Sequence, residues 1–421
     1  MYFWYKIFTY LFYPFSRIYL KIRKFKKKED SIRYEEKLSK ISIKRDEGFL
    51  IWLHVASVGE AMSVIPLIED CINNKNINKV LLTSITLSSG KILEKKYNKN
   101  KKITHQYLPL DIPVLVKKFL NHWKPNLSVF IDSEIWPNLI LEINKKKIPL
   151  VLLNARITKK TYVRWKLAKN FAKKIFEKFD LCIASNKESE NFLHNLGAKN
   201  IKNFGNLKFS SIKNNIIKEL DPDFLIKIKG KKIWCAASTH SPEEILCAKL
   251  HASFKNSFNN VLTIIIPRHI NRVNEIFKEI QSLNLNVILS SQLNKFSKDT
   301  DIILVDSYGQ SLKFYNISKY TFLGKSFIES LKLDSGQNPI EPARMGCKIF
   351  YGPYVSNFDE IYEYFKALGV AQQVDTIEEL SSSLIREFKE EKVKNKVISK
   401  KIDDYGQNIF NNVILELKKY I

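Results

Sequence analysis

The chain has no Cys-x-x-Cys pair. Its five cysteines, Cys71, Cys182, Cys235, Cys247 and Cys347, are scattered and odd in number. That argues against a disulfide framework or a structural zinc and for a reducing compartment. It has no Gly-x-Gly-x-x-Gly fingerprint and no His-Glu-x-x-His. Gly324-Lys325-Ser326 looks like the tail of a phosphate loop, but Lys319 stands where the first glycine belongs. The two Asp-x-Asp triplets, Asp221/Asp223 and Asp299/Asp301, fall in a linker-like stretch and at the start of a strand-like one. Neither is a good place for a metal, so a metal-independent reaction without a cofactor is expected. Acidic residues are scarce, 43 against 69 Lys+Arg, for a formal net charge of +26. Such a chain attracts nucleic acid, anionic membrane or anionic small molecules. The surplus of Lys, Asn and Ile also fits the codon bias of an AT-rich genome. No helix-turn-helix and no aromatic-studded binding sheet is recognisable, so nucleic acid is not an expected partner. After residue 20, no apolar stretch is long enough to span a membrane.

What is present begins at the N-terminus. Residues 2–20, YFWYKIFTYLFYPFSRIYL, are crowded with aromatics and carry charge only at Lys6 and Arg17. The basic run KIRKFKKK follows, ending at Lys28. Interfacial aromatics ahead of a basic flank predict a membrane anchor over 1–28, with its basic side on the cytoplasmic face. Two geometries fit, a short span or an amphipathic helix lying in the interface. A buried first helix of the following domain competes with both.

From Phe49 onward, short apolar runs alternate with helical periodicity. Candidate strands are 49–57, 79–86, 126–134, 148–156 and 180–186, with helices such as 61–74 and 164–178 between them. A polar, basic stretch around Ser210–Lys232 predicts a linker. Strand-like runs then resume at 231–239, 261–269, 286–291, 300–307, 319–326 and 347–353. Runs apolar on both faces are those of buried parallel strands, so an α/β fold is expected in both halves. The expected organisation is an N-terminal domain over 29–212, a linker over 213–230 and a C-terminal domain over 231–400. An amphipathic C-terminal helix over 401–421 is expected to pack back on the first domain. Ligands should bind beyond the carboxyl ends of the strands.

Polar clusters occur at those ends. In HVASVGEA, Ser57 and Glu60 form a Ser-x-x-Glu capping box after a strand, with Gly59 in a tight turn. Glu60 is either that cap or a general base, kept ionised by the helix N-terminus. In IDSEIWPN, Asp132 and Glu134 end a strand, and Trp136-Pro137 stop it. Arg156 of NARIT holds an anion or pairs with a nearby acid. Lys208 of GNLKF sits at the linker's edge. In the second half Ser241 reads as an N-cap, Pro242 as the first helical residue and Glu244 as a capping-box partner. Arg268 of PRH ends the most apolar strand, well placed for a phosphate. In GQNPIEPARMG a helix is expected to start near Ile340, with free N–H groups for a phosphate and Glu341 for ribose hydroxyls.

Taken in order, HVASVGE, DSEIWPN, NARIT, GNLKF, STHSPEE, IPRH, VDSYGQ and GQNPIEPA resemble the 3-deoxy-D-manno-octulosonic acid (Kdo) transferases, from about Trp52 to Phe358. The resemblance implies a GT-B fold, two Rossmann-like domains facing across a cleft. It implies CMP-Kdo as donor and the glucosamine disaccharide of a lipid A precursor as acceptor, at the cytoplasmic face of the inner membrane. On that model Glu60 is the base, Glu134 and Lys208 support the transition state, and Ser57, Gly59 and Arg156 line the acceptor side. The CMP-sugar would be held by Arg268, His269, Tyr308, Gly309, Gln310, Gly324, Ser326, Asn338, Pro339, Ile340 and Glu341. The chain departs from the family's pattern at Gln310, Lys325 and Ser335-Gly336-Gln337, all on the donor side. Competing readings are another GT-B sugar-nucleotide enzyme such as an epimerase, a basic membrane or nucleic-acid binder, and a non-catalytic membrane scaffold.

Overall fold

The computed structural model describes residues 1–210, 220–390 and 396–421. The chain forms two compact units, residues 1–212 with 405–421, and residues 213–404. Residues 213–219 of the expected linker lie outside the described residues. Its remainder is not a bare linker. Pro222–Lys227 form a short helix, and Phe224 packs edge-on against Phe296 at 5.2 Å.

The first unit is built on seven parallel strands. They are β1 (Leu50–Val55), β2 (Lys79–Ser84), β3 (Ile103–Tyr107), β4 (Leu127–Ile131), β5 (Leu150–Ala155), β6 (Leu181–Ala184) and β7 (Ile201–Asn203), in the order β3-β2-β1-β4-β5-β6-β7. Every residue of β1, β4, β5 and β6 is buried. That is the signature of a sheet covered on both faces by the crossover helices that parallel strands require. Trp52 fills the core between Phe119 and Phe130, with ring centroids 5.0 and 5.1 Å away.

The second unit repeats the plan. Its strands are β8 (Lys232–Thr239), β9 (Val261–Pro267), β10 (Val287–Leu289), β11 (Ile302–Leu304), β12 (Tyr320–Leu323), β13 (Lys348–Tyr351) and β14 (Ala371–Gln373). Their order is β10-β11-β9-β8-β12-β13-β14, again all parallel. Trp234, Phe254, Phe322, Phe350 and Phe388 centre its core.

In each sheet the chain starts in the middle, fills one side, and returns to the middle to fill the other; in the second sheet β10 takes the edge before β11 fills the gap beside β9. The reversals lie between β1 and β4 and between β8 and β12. Adjacent loops diverge at such a switch point and leave a crevice at the carboxyl ends of the strands.

Three strands escape the sequence reading: β3, β7 and β14. β3 reads Ile-Thr-His-Gln-Tyr, and its polar residues hide it. Two of them meet other side chains: Gln106 accepts from the Trp123 indole at 2.8 Å, and His105 Nε2 lies 2.8 Å from the Ser84 hydroxyl.

The N-terminal segment is one helix, Tyr2–Phe25, with Pro14 inside it. Only Ser16 and Leu20 are buried, which removes the buried-helix reading. Phe3, Trp4, Phe8, Leu11, Phe15 and Ile18 are each 59–72% exposed. Among the described residues no helix is long and apolar enough to cross a membrane, so the spanning geometry is set aside. The helix is fastened to the first unit. The Tyr5 hydroxyl donates to Asp111 at 2.8 Å, and Asn138 donates to the Thr9 hydroxyl at 3.0 Å. The C-terminal helix Lys396–Leu417 joins the first unit from Tyr405 on. There Lys202 pairs with Glu416 at 2.7 Å, and Tyr405 meets Phe209 edge-on at 5.1 Å.

Candidate active site

The carboxyl ends of β1 and β4 carry three carboxylates. Ser57 caps the helix Val58–Ser63, its hydroxyl oxygen accepting from the Glu60 N–H at 3.3 Å. The Glu60 carboxylate folds back over the same turn. It accepts from the Ala56 N–H at 2.7 Å and from the Ser57 hydroxyl at 2.8 Å. Cap and base are therefore not rivals, because the cap is what fixes the carboxylate at the strand end. The ionised form expected from the helix N-terminus is overruled. Burial first, then the negative charge of Asp132, push Glu60 up to about 7, outweighing the two hydrogen bonds that favour its anion. Gly59 forms no tight turn. It lies within the first turn of the helix, and an added Cβ would meet only the Ser57 hydroxyl at 3.9 Å.

Asp132 and Asn154 take left-handed backbone angles, φ 57° and 55°, at the ends of β4 and β5. Asx residues tolerate that region best, and strain there clusters at functional sites. Around Asn154 the β5–β6 register shifts, the mark of a bulge that re-aims a side chain. The re-aimed amide bridges two loops. Its Nδ2 donates to Asp132 at 2.5 Å, and its Oδ1 accepts from the Leu207 N–H at 2.8 Å. It thereby fixes the turn Leu207–Ser210, which carries Lys208. Burial raises the Asp132 carboxyl, and the charges of Lys208 and Arg156 oppose the rise. So Glu60, Asp132, Lys208 and Arg156 share one field, and Glu134 adds to it. Glu134 accepts from the Trp136 indole at 2.8 Å, and His54 Nε2 lies 3.2 Å from the same oxygen. Sequence reasoning left Asp132 out of the catalytic set and passed over His54 and Asn154. Asp132 was visible in its cluster. His54 was concealed inside an apolar strand run, and Asn154 announced itself only through the bulge.

The switch point of the second unit is basic. Ser238 and Lys325 stand at φ 55° and 57° at the ends of β8 and β12, and the β8–β9 register shifts around Ser238. Arg268 and His269 are exposed just past β9. The His269 ring stacks edge-on against His240 at 5.2 Å. His240 is pushed down to about 4, by burial first, then by the positive field of His269, Lys325 and Arg268. Four basic side chains thus converge. Two of them, His240 and Lys325, were not among the expected site residues, although Lys325 had been noted in the Gly324-Lys325-Ser326 run and as a departure from the family's pattern.

The expected helix start at Ser241-Pro242 is corrected. The helix runs Glu243–Phe254 without a side-chain cap, and Glu243 rather than Glu244 turns back. Its buried carboxylate accepts N–H groups from His240 at 3.0 Å, Lys325 at 2.7 Å, Ser326 at 3.1 Å and Phe327 at 3.2 Å. The 324–327 loop therefore wraps a carboxylate belonging to the protein. A Cβ at Gly324 would lie 2.6 Å from Thr239 Cα, so glycine is required there. Ser326 is fully buried, its hydroxyl donating to the Leu323 carbonyl and accepting from the Gly352 N–H. In this way it shapes the loop. The helix Ile340–Arg344 starts where expected, but the Ile340 N–H is taken by Asn338 Oδ1 at 3.1 Å and the Ile340 side chain is buried. Pro339 precedes it and Glu341 stands exposed. Tyr308 is 72% exposed, beside Gly309 at φ 78°. Gln310 donates to Ser307 and leaves its Oε1 buried without a hydrogen-bond partner among the described residues. Among the described residues no group of three or more His, Cys, Asp or Glu side chains is arranged to hold a metal ion.

Two parallel α/β units with polar switch points define a class seen in solved sugar-nucleotide enzymes. A UDP-GlcNAc 2-epimerase from Neisseria meningitidis aligns over 87% of this chain and all of its own, at TM-score 0.58 and 15% identity, a likeness of fold alone. Sequence narrows the class. Residues 31–211 match the family model described as 3-deoxy-D-manno-octulosonic-acid transferase (kdotransferase). The 3-deoxy-D-manno-octulosonic acid transferase of Rickettsia bellii is 32% identical over 90% of this chain and 89% of its own. That of Haemophilus influenzae is 27% identical over 80% and 79%. The chain belongs to the Kdo transferase family and is a glycosyltransferase.

Proposed function

We propose that the protein transfers Kdo from CMP-Kdo to the glucosamine disaccharide of a lipid A precursor, with inversion and without a metal, in lipopolysaccharide biosynthesis. The observation that carries the mechanism is Glu60, a half-buried carboxylate at the end of β1 pushed up to about 7. A base of that strength is partly ionised near neutrality and holds a proton well once it has one. Glu60 takes the proton from the acceptor hydroxyl. The oxygen's electron pair forms the new bond to the anomeric carbon of the donor. The bond from that carbon to the phosphate oxygen breaks, and CMP leaves with its electron pair.

In this reading the units are the acceptor and donor halves of a GT-B enzyme. Ser57 and the open surface at Gly59 admit the acceptor, and Arg156 meets its anionic groups. Glu134 and Lys208 stabilise the charge that develops in the transition state. Arg268 and His269, with His240 and Lys325, neutralise the leaving phosphate. Gln310 Oε1 offers an acceptor to a donor-side N–H or O–H group, next to Tyr308 and Gly309. Asn338–Glu341 supply the remaining contacts. The helix Tyr2–Phe25 lies in the interface of an anionic membrane, its aromatics among the acyl chains and its basic flank on the head groups, at the cytoplasmic face of the inner membrane.

The test uses purified protein, CMP-Kdo and the tetraacylated precursor, with mass spectrometry counting the sugars added. The unsubstituted protein adds Kdo and Glu60→Ala adds none. Normal transfer by Glu60→Ala refutes the mechanism. Sedimentation with anionic vesicles tests the helix: combined Phe3→Ser, Trp4→Ser and Phe8→Ser should leave the protein in the supernatant.

A further inference from the structure

Behind the acidic cluster lie three side chains, each fully buried, that the mechanism does not use: Trp52, Thr83 and His54. Trp52 and His54 are two residues apart on β1 and so share a face of the sheet, and Thr83 is registered beside His54 on β2. The Trp52 indole donates to Thr83 Oγ1 at 2.8 Å. His54 Nδ1 lies 2.9 Å from the same hydroxyl oxygen and 3.3 Å from the Thr83 backbone carbonyl, and His54 Nε2 lies 3.2 Å from Glu134 Oε2. The Phe130 ring stands edge-on to the imidazole at 5.3 Å and holds its plane.

The direction of these bonds follows from what each group is able to do. An indole nitrogen only donates, so Thr83 Oγ1 is an acceptor toward Trp52. The hydroxyl's own proton is then free to point along the short line to Nδ1, and the Glu134 carboxylate, an acceptor when ionised, calls for a proton on Nε2. The ring proton therefore sits on Nε2 and is given to Glu134. The opposite tautomer sets an Nε2 lone pair against a carboxylate oxygen. It also turns the Nδ1 proton from the hydroxyl at 2.9 Å toward the Thr83 carbonyl at 3.3 Å, the longer of the two contacts. With the first arrangement every donor has an acceptor, and Glu134 Oε2 receives one N–H from His54 and one from Trp136 at 2.8 Å.

We infer that Trp52, Thr83 and His54 form a one-way hydrogen-bond relay that locks His54 as the Nε2–H tautomer and so fixes the orientation of the Glu134 carboxylate. His54 is a positioning residue, and the relay carries orientation from the packed core to the reacting centre. The inference rests on the reading above, in which Glu134 acts on the transition state.

Nitrogen-15 histidine spectra of the full-length protein give the direct test. The His54 signal is identified by its loss in His54→Gln, or by elimination after replacing the other six of the seven histidines in turn. The expected pattern is a bare Nδ1 and a protonated Nε2. A proton on Nδ1 overturns the relay, and this spectrum decides the matter even where a core variant fails to fold. Thr83→Val keeps the shape and removes the hydroxyl. Its kcat should fall about tenfold with KM for both substrates within about twofold, an orientation loss rather than a binding loss. Thr83→Ser should restore most of the rate. A Thr83→Val enzyme with normal kcat also overturns the relay. Glu134→Gln separates the two layers. If it is as active as the unsubstituted enzyme, the role of Glu134 falls. If it is crippled while Thr83→Val is normal, only the relay falls.

Discussion

The two units mount opposite charges on nearly the same frame. Each has a seven-stranded parallel sheet with the chain's reversal beside its first strand. Each also has left-handed non-glycine residues at strand ends, Asp132 and Asn154 in one, Ser238 and Lys325 in the other. In the first unit those ends gather Glu60, Asp132 and Glu134, and mutual repulsion with burial lifts Glu60 to about 7. In the second they gather Arg268, His269, His240 and Lys325, and the same two causes with reversed sign push His240 down to about 4. In the proposed mechanism one frame stores a proton acceptor and the other a counter-charge for a departing phosphate. The second unit also contains a carboxylate, Glu243, but it is spent on four backbone N–H groups and shapes a loop. A carboxylate at a strand end is a base or a brace according to how many donors surround it.

The comparison is most directly broken at Glu60. Glu60→Gln should lower kcat by about 10³-fold, at the upper range of general-base effects, with little change in KM. The same variant reads the stored cost. The folded chain holds this proton up to about 7, against an ordinary 4.5, so stability falls as pH rises through that window. Glu60→Gln escapes the fall, and its Tm at pH 8 should equal or exceed that of the unsubstituted protein. Next comes Glu134→Gln, with a loss of about 10²-fold in kcat measured at saturating substrates. In the second unit Gly324→Ala drives a Cβ against Thr239 Cα. It should cost about 2 kcal/mol in denaturant unfolding and raise the donor KM. Arg268→Ala should raise the donor KM about tenfold and leave the acceptor KM unchanged, as expected when one charged phosphate contact is removed. The smallest effect sharpens the electrostatics. The rate should rise with pH through about 7, and Asp132→Asn, by deleting a neighbouring negative charge, should move that midpoint to lower pH. An unmoved midpoint would separate the Glu60 shift from Asp132.

Much of this was legible in advance, and the exceptions have physical reasons. Strands buried on both faces betray themselves as unbroken apolar runs, so β1, β4, β5 and β9 were evident. β3 was not, because Thr104 and Gln106 are buried polar residues, and the Trp123 indole that meets Gln106 is supplied only by the fold. Ser57 and Glu60 were found because a capping box is a local pattern. Glu243 was misread by one residue, since its partners come from 82 to 84 positions away. Ser326 was expected to contact the donor, and the fold shows its buried hydroxyl joining Leu323 to Gly352, partners that local sequence does not reveal. The aromatic N-terminal segment read as an anchor of undecided geometry, and the helix it forms is not long and apolar enough to cross a membrane.

By itself the sequence determined the two α/β halves, the cap that places Glu60, the basic excess and the family, because each is written in local pattern, composition or residue identity. The tertiary structure alone decided how strongly Glu60 holds its proton, which cations surround Asp132, and that His54 faces Glu134. Those properties come from through-space fields and contacts among residues brought together from different strands. No window of neighbouring residues contains them.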